Sequence, residues 1–252
     1  MSTLTIPDGA GGNVVLTPVA VSGTAILTLP TGTGNLLSNA VPAGNTTVAP
    51  LKFTSGTNLS TAAAGSIEYD GTAFYNTGQG TERGVMPTSQ LYWVNTAVTG
   101  GNDNLPRTVF GSVGVTLSAN TTYVMEGALY FTRAAGTTSH TLRLQFTGTA
   151  NINAITYQVA APQITLPSAT SASGTQAICS TKALTAVTGA ITTSNSIGMM
   201  IRGTVSTNAG GTFTPTYAPS VAPGGAYTVA TGSFMTFTPV GATGNISVGP
   251  WA

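Results

Sequence analysis

"TYVMEGALYFTR", residues 122–133, and "HTLRLQFTG", residues 140–148, alternate apolar and polar side chains with a period of two. In the first, Tyr123, Met125, Gly127, Leu129 and Phe131 fall on one face. In the second, His140, Leu142, Leu144 and Phe146 stand against Thr141, Arg143 and Gln145. Successive side chains of a strand point to opposite faces, so this alternation reads as two half-buried β-strands. Outward from them, strand-like runs bounded by turn residues recur in "LYWVN", "RTVFG", "GVTLSA", "AITYQVAA", "QAICST", "SIGMMIRGTVS", "TFTPTYA", "AYTVA" and "SFMTFTPVG". Many short strands with Gly/Pro-rich turns predict a jelly-roll-like β-sandwich over residues 90–252.

Composition agrees with an all-β class. Thr and Val are abundant and stiff at the first side-chain torsion, which favours extended backbone. Fourteen prolines and 32 glycines interrupt any long helix. The chain is 41% apolar with a formal net charge of +1, the reverse of the low hydrophobicity and high charge that mark disorder. Charged residues make up 5% of the total, against roughly 25% in an ordinary globular domain. Phosphate contacts need several Lys or Arg on one face, so nucleic acid is not an expected partner. With so little charge repulsion, apolar faces must be buried, which points to stable assembly.

No run of about 18 apolar residues predicts a membrane span, and "MSTLTIPDGAGG" lacks the basic start and apolar core of a signal peptide. The expected setting is synthesis in a cytoplasm. The single cysteine, Cys179, leaves no internal disulfide framework and reads as a small buried hydrophobe. Sequons at Asn45, Asn58, Asn120 and Asn245 arise by chance in so Thr-rich a chain.

Residues 1–48 read as an extended N-terminal arm. Its apolar runs, Val14–Val21 and Ala25–Leu29, are too few to close a core and must pair with something else. Residues 49–89 read as a β-hairpin linker module. There "SIEYDGTAFY" holds Asp70-Gly71 between alternating runs, the signal for a two-residue turn. That turn sets Tyr69 opposite Thr72, Glu68 opposite Ala73 and Ile67 opposite Phe74. Ile67, Tyr69, Thr72 and Phe74 then share one face, with Glu68 and Tyr75 on the other. Asp70 sits in the turn because its carboxylate can bond its own backbone. The local cluster of Lys52, Glu68 and Asp70 therefore reads as architecture and not as a catalytic set.

Elsewhere no chemical constellation is expected, whether catalytic, cofactor-binding or metal-binding. His140 is the one histidine and begins a strand, where a hydrolytic triad would need an orienting acid and a nucleophile. One His and one Cys cannot build the usual N/S metal site. "GGNDNLP", with Asn102, Asp103 and Asn104, lacks the spacing and closing Glu of an EF-hand loop and reads as a polar turn. A glycosidase would need two carboxylates facing across a cleft. The six acids are Asp8, Glu68, Asp70, Glu82, Asp103 and Glu126, and they form no such motif. Glu82 beside Arg83 suggests a salt link, and Glu126 interrupts a strand.

"APLKFTSGTNLSTAAAGSIEYDGTAFYNT" with "RGVMPTSQLYWV" resembles a hairpin module of tailed-bacteriophage appendage and surface proteins. "LSANTTYVMEGALYFTRAAGTTSHTLRLQFTGTANINAITYQV" with "SFMTFTPVG" resembles their C-terminal domains, which look like trimeric jelly rolls of the tumour-necrosis-factor and C1q type. "LTLPTGTGNLL" resembles their repeated strand segments. The resemblance covers about two-thirds of the chain. It implies a non-enzymatic homotrimer on the virion exterior, with apolar strands such as "LYWVN" and "SFMTFTPVG" at the threefold axis. Its partners would be the major capsid protein or other virion proteins. Two stations follow from it: a capsid decoration (cement) protein, or a tail fibre or receptor-binding tip that meets a host-surface glycan. A fibre needs a shaft, and this chain has neither heptads nor a sustained repeat, which favours the cement station.

Overall fold

Where side chains alternate, the backbone pairs, and where Gly, Pro, Asn or Asp cluster, it turns. The structure, a computed structural model, describes residues 4–7, 13–16, 43–47, 49–133, 136–161, 175–192 and 196–249. The chain divides into two units, Met1–Lys52 and Phe53–Ala252. In the first, β1 (Leu4–Pro7) and β2 (Asn13–Leu16) form an antiparallel ribbon, with Leu4 opposite Leu16 and Pro7 opposite Asn13. Part of the arm therefore pairs with itself. The strand expected at Ala25–Leu29 lies outside the described residues.

The second unit begins with a three-stranded sheet of β3 (Ile67–Tyr69), β4 (Phe74–Thr77) and β5 (Arg83–Met86). The Asp70-Gly71 hairpin is present, but its register corrects the expected one. Tyr69 faces Phe74, Glu68 faces Tyr75 and Ile67 faces Asn76, so the loop holds four residues and not two. The Asp70 carboxylate causes this. Its Oδ1 accepts the backbone N–H groups of Thr72 at 2.7 Å and Ala73 at 2.9 Å, which stabilises the wider turn. Gly71 takes the φ of 96° that the turn requires. A slip of two residues leaves each side chain on its face. Tyr69 and Phe74 accordingly stack, with ring centroids 4.5 Å apart.

The following strands are β6 (Gln90–Trp93), β7 (Val98–Thr99), β8 (Arg107–Thr108), β9 (Val115–Leu117), β10 (Thr121–Arg133), β11 (Leu142–Thr147) and β12 (Asn151–Ala161). After them come β13 (Thr175–Cys179), β14 (Thr185–Ala186), β15 (Ser196–Ala209), β16 (Gly211–Pro219), β17 (Tyr227–Val229) and β18 (Phe234–Ala242). They build a jelly-roll-like sandwich. The large sheet runs β13-β12-β15-β10, and β17 and β18 then lie end to end along the far edge of β10. Beyond them pair β7 and β6 respectively. The small sheet runs β14-β11-β16, with β8 and β9 along the far edge of β16.

From β10 onward the chain crosses between sheets at most connections, as a jelly roll does, and the β12–β13 hairpin widens the large sheet. The alternating faces of β10 and β11 meet in the core, where Met125, Leu129 and Phe131 pack with Leu142, Leu144 and Phe146. Cys179 is buried there too, as its apolar character requires.

Candidate functional site

The charged side chains are the natural first place to look for chemistry, and the fold spends them on local structure. Arg83 pairs with Glu68 across the module sheet, Nε to Oε2 at 2.8 Å, and not with its neighbour Glu82. Arg83 also donates to the Leu59 carbonyl at 2.6 Å, while the Leu59 N–H donates to Glu68 Oε1 at 2.6 Å. The Leu59 amide foremost, with Arg83 behind it, holds the Glu68 carboxyl below its usual range.

Asp70 loses solvation, but donors more than offset that loss. The amides of Ala73 and Thr72, the Thr72 hydroxyl and the Tyr75 hydroxyl together hold its carboxyl low. Burial, with Asp70 beside it, pushes the Tyr75 phenol up to about 12. A carboxylate with its lone pairs so occupied has little capacity left as a base. Asp103 pairs with Arg107 and accepts the Leu105 N–H at 3.0 Å, a closed polar turn.

His140 is buried at one end of the sandwich. Its Nδ1 lies 2.8 Å from the Thr138 carbonyl and its Nε2 lies 2.7 Å from the Tyr227 hydroxyl. A carbonyl only accepts, so Nδ1 carries the proton and Tyr227 donates to Nε2. Beside it Arg133, which the sequence reading did not single out, is buried over the Tyr227 ring. Arg133 donates to the carbonyls of Pro223 at 2.9 Å and Thr192 at 2.8 Å. Burial, aided by the Arg133 charge, holds His140 below the usual histidine range.

In the unfolded chain the histidine takes up a proton below about 6.5, while the folded site resists it. Its contribution to stability is thus complete above about 6.5 and is lost as pH falls through the lower folded value. The thermal midpoint should decline as pH falls below about 6.5 toward the lower folded value, and His140→Gln should flatten that decline. A wild-type midpoint unchanged across that window would contradict the buried neutral imidazole. The lowered carboxylates Glu68 and Asp70 act at lower pH, so the two effects separate.

The unusual surface of the sandwich is the outer face of its large sheet. Strand registers carry one row across it: Trp93 opposite Phe234, Phe234 opposite Ala128, Ala128 opposite Met200 and Met200 opposite Ala160. The next row is Leu91, Thr236, Glu126, Arg202, Gln158 and Ile178. Trp93 is 59% exposed, Leu91 62%, Met200 55% and Ile178 79%. Tyr130, also exposed, lies over Gly198 on the same face. Glu126 and Arg202 form an exposed ion pair of 2.9 Å across neighbouring strands, the kind worth about 0–1 kcal/mol.

Single exposed apolar residues are normal; here Trp93, Phe234, Met200 and Ala160 share one row, while the neighbouring row is polar from Thr236 to Gln158 and apolar only at its ends, Leu91 and Ile178. Of the two segments expected at a threefold axis, "LYWVN" exposes Leu91 and Trp93 on this face, while "SFMTFTPVG" keeps Met235 and Phe237 in the core. Met200 and Ile178 were not singled out, because each reads in sequence as one more apolar residue of a strand and only the sheet registers show its face.

The second unit also holds two clefts with other linings. An apolar slot of about 260 Å³ opens between β6 and β9 and is lined in part by Tyr92, Phe110 and Phe237. A polar cleft of about 590 Å³ lies between the module and the run after β18, with Asn58, Ser60, Thr61, Arg83, Asn245 and Ser247 on its walls. Among the described residues no cluster of three or more His, Cys, Asp or Glu is placed to hold a metal ion.

No protein-family model and no curated protein matches the chain. Among solved structures, it aligns with one titled "Structure of infectious bursal disease virus Gt strain". The alignment has 12% identity over 69% of this chain and 47% of that one, with a TM-score of 0.10, too low to carry an argument about fold or function.

Proposed function

We propose that this chain is a non-enzymatic structural protein of a bacteriophage particle, acting as a homotrimer on the outside of the virion as a capsid decoration protein. The carrying observation is the exposure of Leu91, Trp93, Met200 and Ile178 on the outer face of the large sheet, large apolar side chains that a protein surface would cover. The near-neutral composition supports the same reading, since it favours close assembly over repulsion. So do the residues that resemble phage surface proteins. The cement reading places the head over junctions between capsid subunits and uses the arm of residues 1–48 to tie neighbours together.

The second reading, a tail fibre or receptor-binding tip, draws support from the polar cleft. Its amide and hydroxyl walls suit a polyhydroxylated ligand, and Glu68 already compensates the charge of Arg83. Electron microscopy of intact particles carrying antibody to this protein tests both. Label spread over the shell is the expected result, and label confined to the tail tip replaces the cement reading with the fibre one.

A further inference from the structure

One end of the sandwich is closed by three turns, residues 136–141, 187–192 and 220–224. His140 and Ile191 join the first two by an isolated bridge, with backbone bonds of 3.0 and 2.7 Å. Ser220 joins the third to Thr141. Behind the turns stands Arg133 on β10, which is 5% exposed. Its guanidinium donates to one carbonyl of each turn: Gly136 at 3.3 Å, Thr192 at 2.8 Å and Pro223 at 2.9 Å. Among the described residues no carboxylate pairs with it. Arg133 is therefore a buried cation compensated by neutral dipoles alone.

We infer that this end is an acid-sensitive latch: a proton taken up by His140 opens the three turns while the paired strands behind them stay folded. The closed form needs the neutral imidazole, because Nε2 accepts the Tyr227 O–H. A proton on Nε2 makes it a donor, so that O–H loses its acceptor. It also sets a second cation beside Arg133. Both groups lie against the Tyr227 ring, the imidazole centroid at 5.6 Å and the Arg133 Cζ at 5.7 Å.

Nothing nearby offsets the added charge. The imidazole faces Arg133 from β10 and Tyr227 from β17, while Tyr217 from β16 reaches only the Tyr227 carbonyl. Residues 136–139, 187–192 and 220–224 carry no ionisable side chain. Water relieves the repulsion once the turns lift, and lifting them breaks few hydrogen bonds. The strands β10 and β17, by contrast, are held in the large sheet. Such locally held units open at lower free energy than the whole domain. The falling midpoint described above would follow wherever the chain unfolds, whereas the latch places the first opening at this end.

Hydrogen exchange of the full chain, followed by NMR from about pH 7.5 downward, tests this. The His140 and Ile191 amides bond to each other's carbonyls and report the latch. An opened imidazole binds a proton with ordinary affinity and the closed one more weakly, so uptake favours opening. Protection of the two amides should be level above about pH 6.5 and fall by up to about tenfold per pH unit below it. At each pH it should stay below that of the β10–β15 ladder and resist low concentrations of denaturant. His140→Gln should abolish the pH dependence. Tyr227→Phe, which removes the hydroxyl that holds the imidazole neutral, should shrink it and serves if the first variant does not fold. Protection equal to that of the ladder would mean that the end opens only with the whole sandwich, which overturns the latch. Protection that ignores pH, or variants that behave as the wild type does, would overturn it equally.

Discussion

On the capsid-decoration reading, deleting residues 1–48 should leave a folded, trimeric head that no longer holds to capsids. The second unit begins at Phe53, so the cut leaves its internal packing untouched. The lost stretch includes "VVLTPVAVSGTAILTLP", which carries about a dozen apolar side chains. Burying them against a partner at roughly 25 cal/mol per Å² would supply several kcal/mol per chain. Three arms on one trimer multiply that through effective concentration, so their loss should abolish decoration and not merely weaken it. Sedimentation of shells mixed with intact or truncated protein measures this. Shells without the intact protein should also break at lower temperature or lower salt. Full occupancy by the truncated protein would show that the arm is not the anchor.

Phe146→Ala should be the most damaging single change within the sandwich. The Phe146 ring stacks on Phe213 with centroids 4.6 Å apart and meets the Tyr157 ring edge-on at 5.2 Å. It thereby joins β11 and β16 of the small sheet to β12 of the large one. Truncating such a residue costs about 3–5 kcal/mol through lost burial and the cavity left behind. For a domain of this size, that lowers the thermal midpoint by roughly 10–15 °C. Thr147→Ala, one position on and exposed, should change the midpoint by no more than about 2 °C. Comparable midpoints for the two variants would contradict a core organised around this ring cluster.

The module shows what local rules can and cannot settle. Asp70-Gly71 announces a hairpin, and alternation puts Tyr69 with Phe74 and Glu68 with Tyr75. The loop length turned on the Asp70 carboxylate reaching two backbone N–H groups, a competition that residue types do not resolve. The ion pair is a second case. Glu82 and Arg83 are adjacent in sequence, but adjacent residues of extended chain point to opposite sides. Arg83 instead meets Glu68, fifteen residues earlier, on the same face of the sheet. His140 was expected to begin a strand, but β11 starts at Leu142 and His140 makes an isolated bridge to Ile191; the buried Arg133 beside it was not singled out. Its partners are carbonyls from turns that only the closed sandwich brings together.

The sequence by itself determined the all-β class, the places of the longer strands and the side of β10 and β11 that enters the core. Period two is a local property, legible within a few residues. Tertiary structure alone decided which apolar side chains share the outer face of the large sheet. Trp93, Phe234, Met200, Ala160 and Ile178 lie on five different strands, and each reads in sequence as one more apolar residue of a run. The pairings of β6 with β18, β18 with β10, β10 with β15 and β15 with β12 align them, and β13 adds Ile178 at the edge. Those registers depend on how the opposite faces of these strands pack in the core, a constraint that no short stretch of the chain contains.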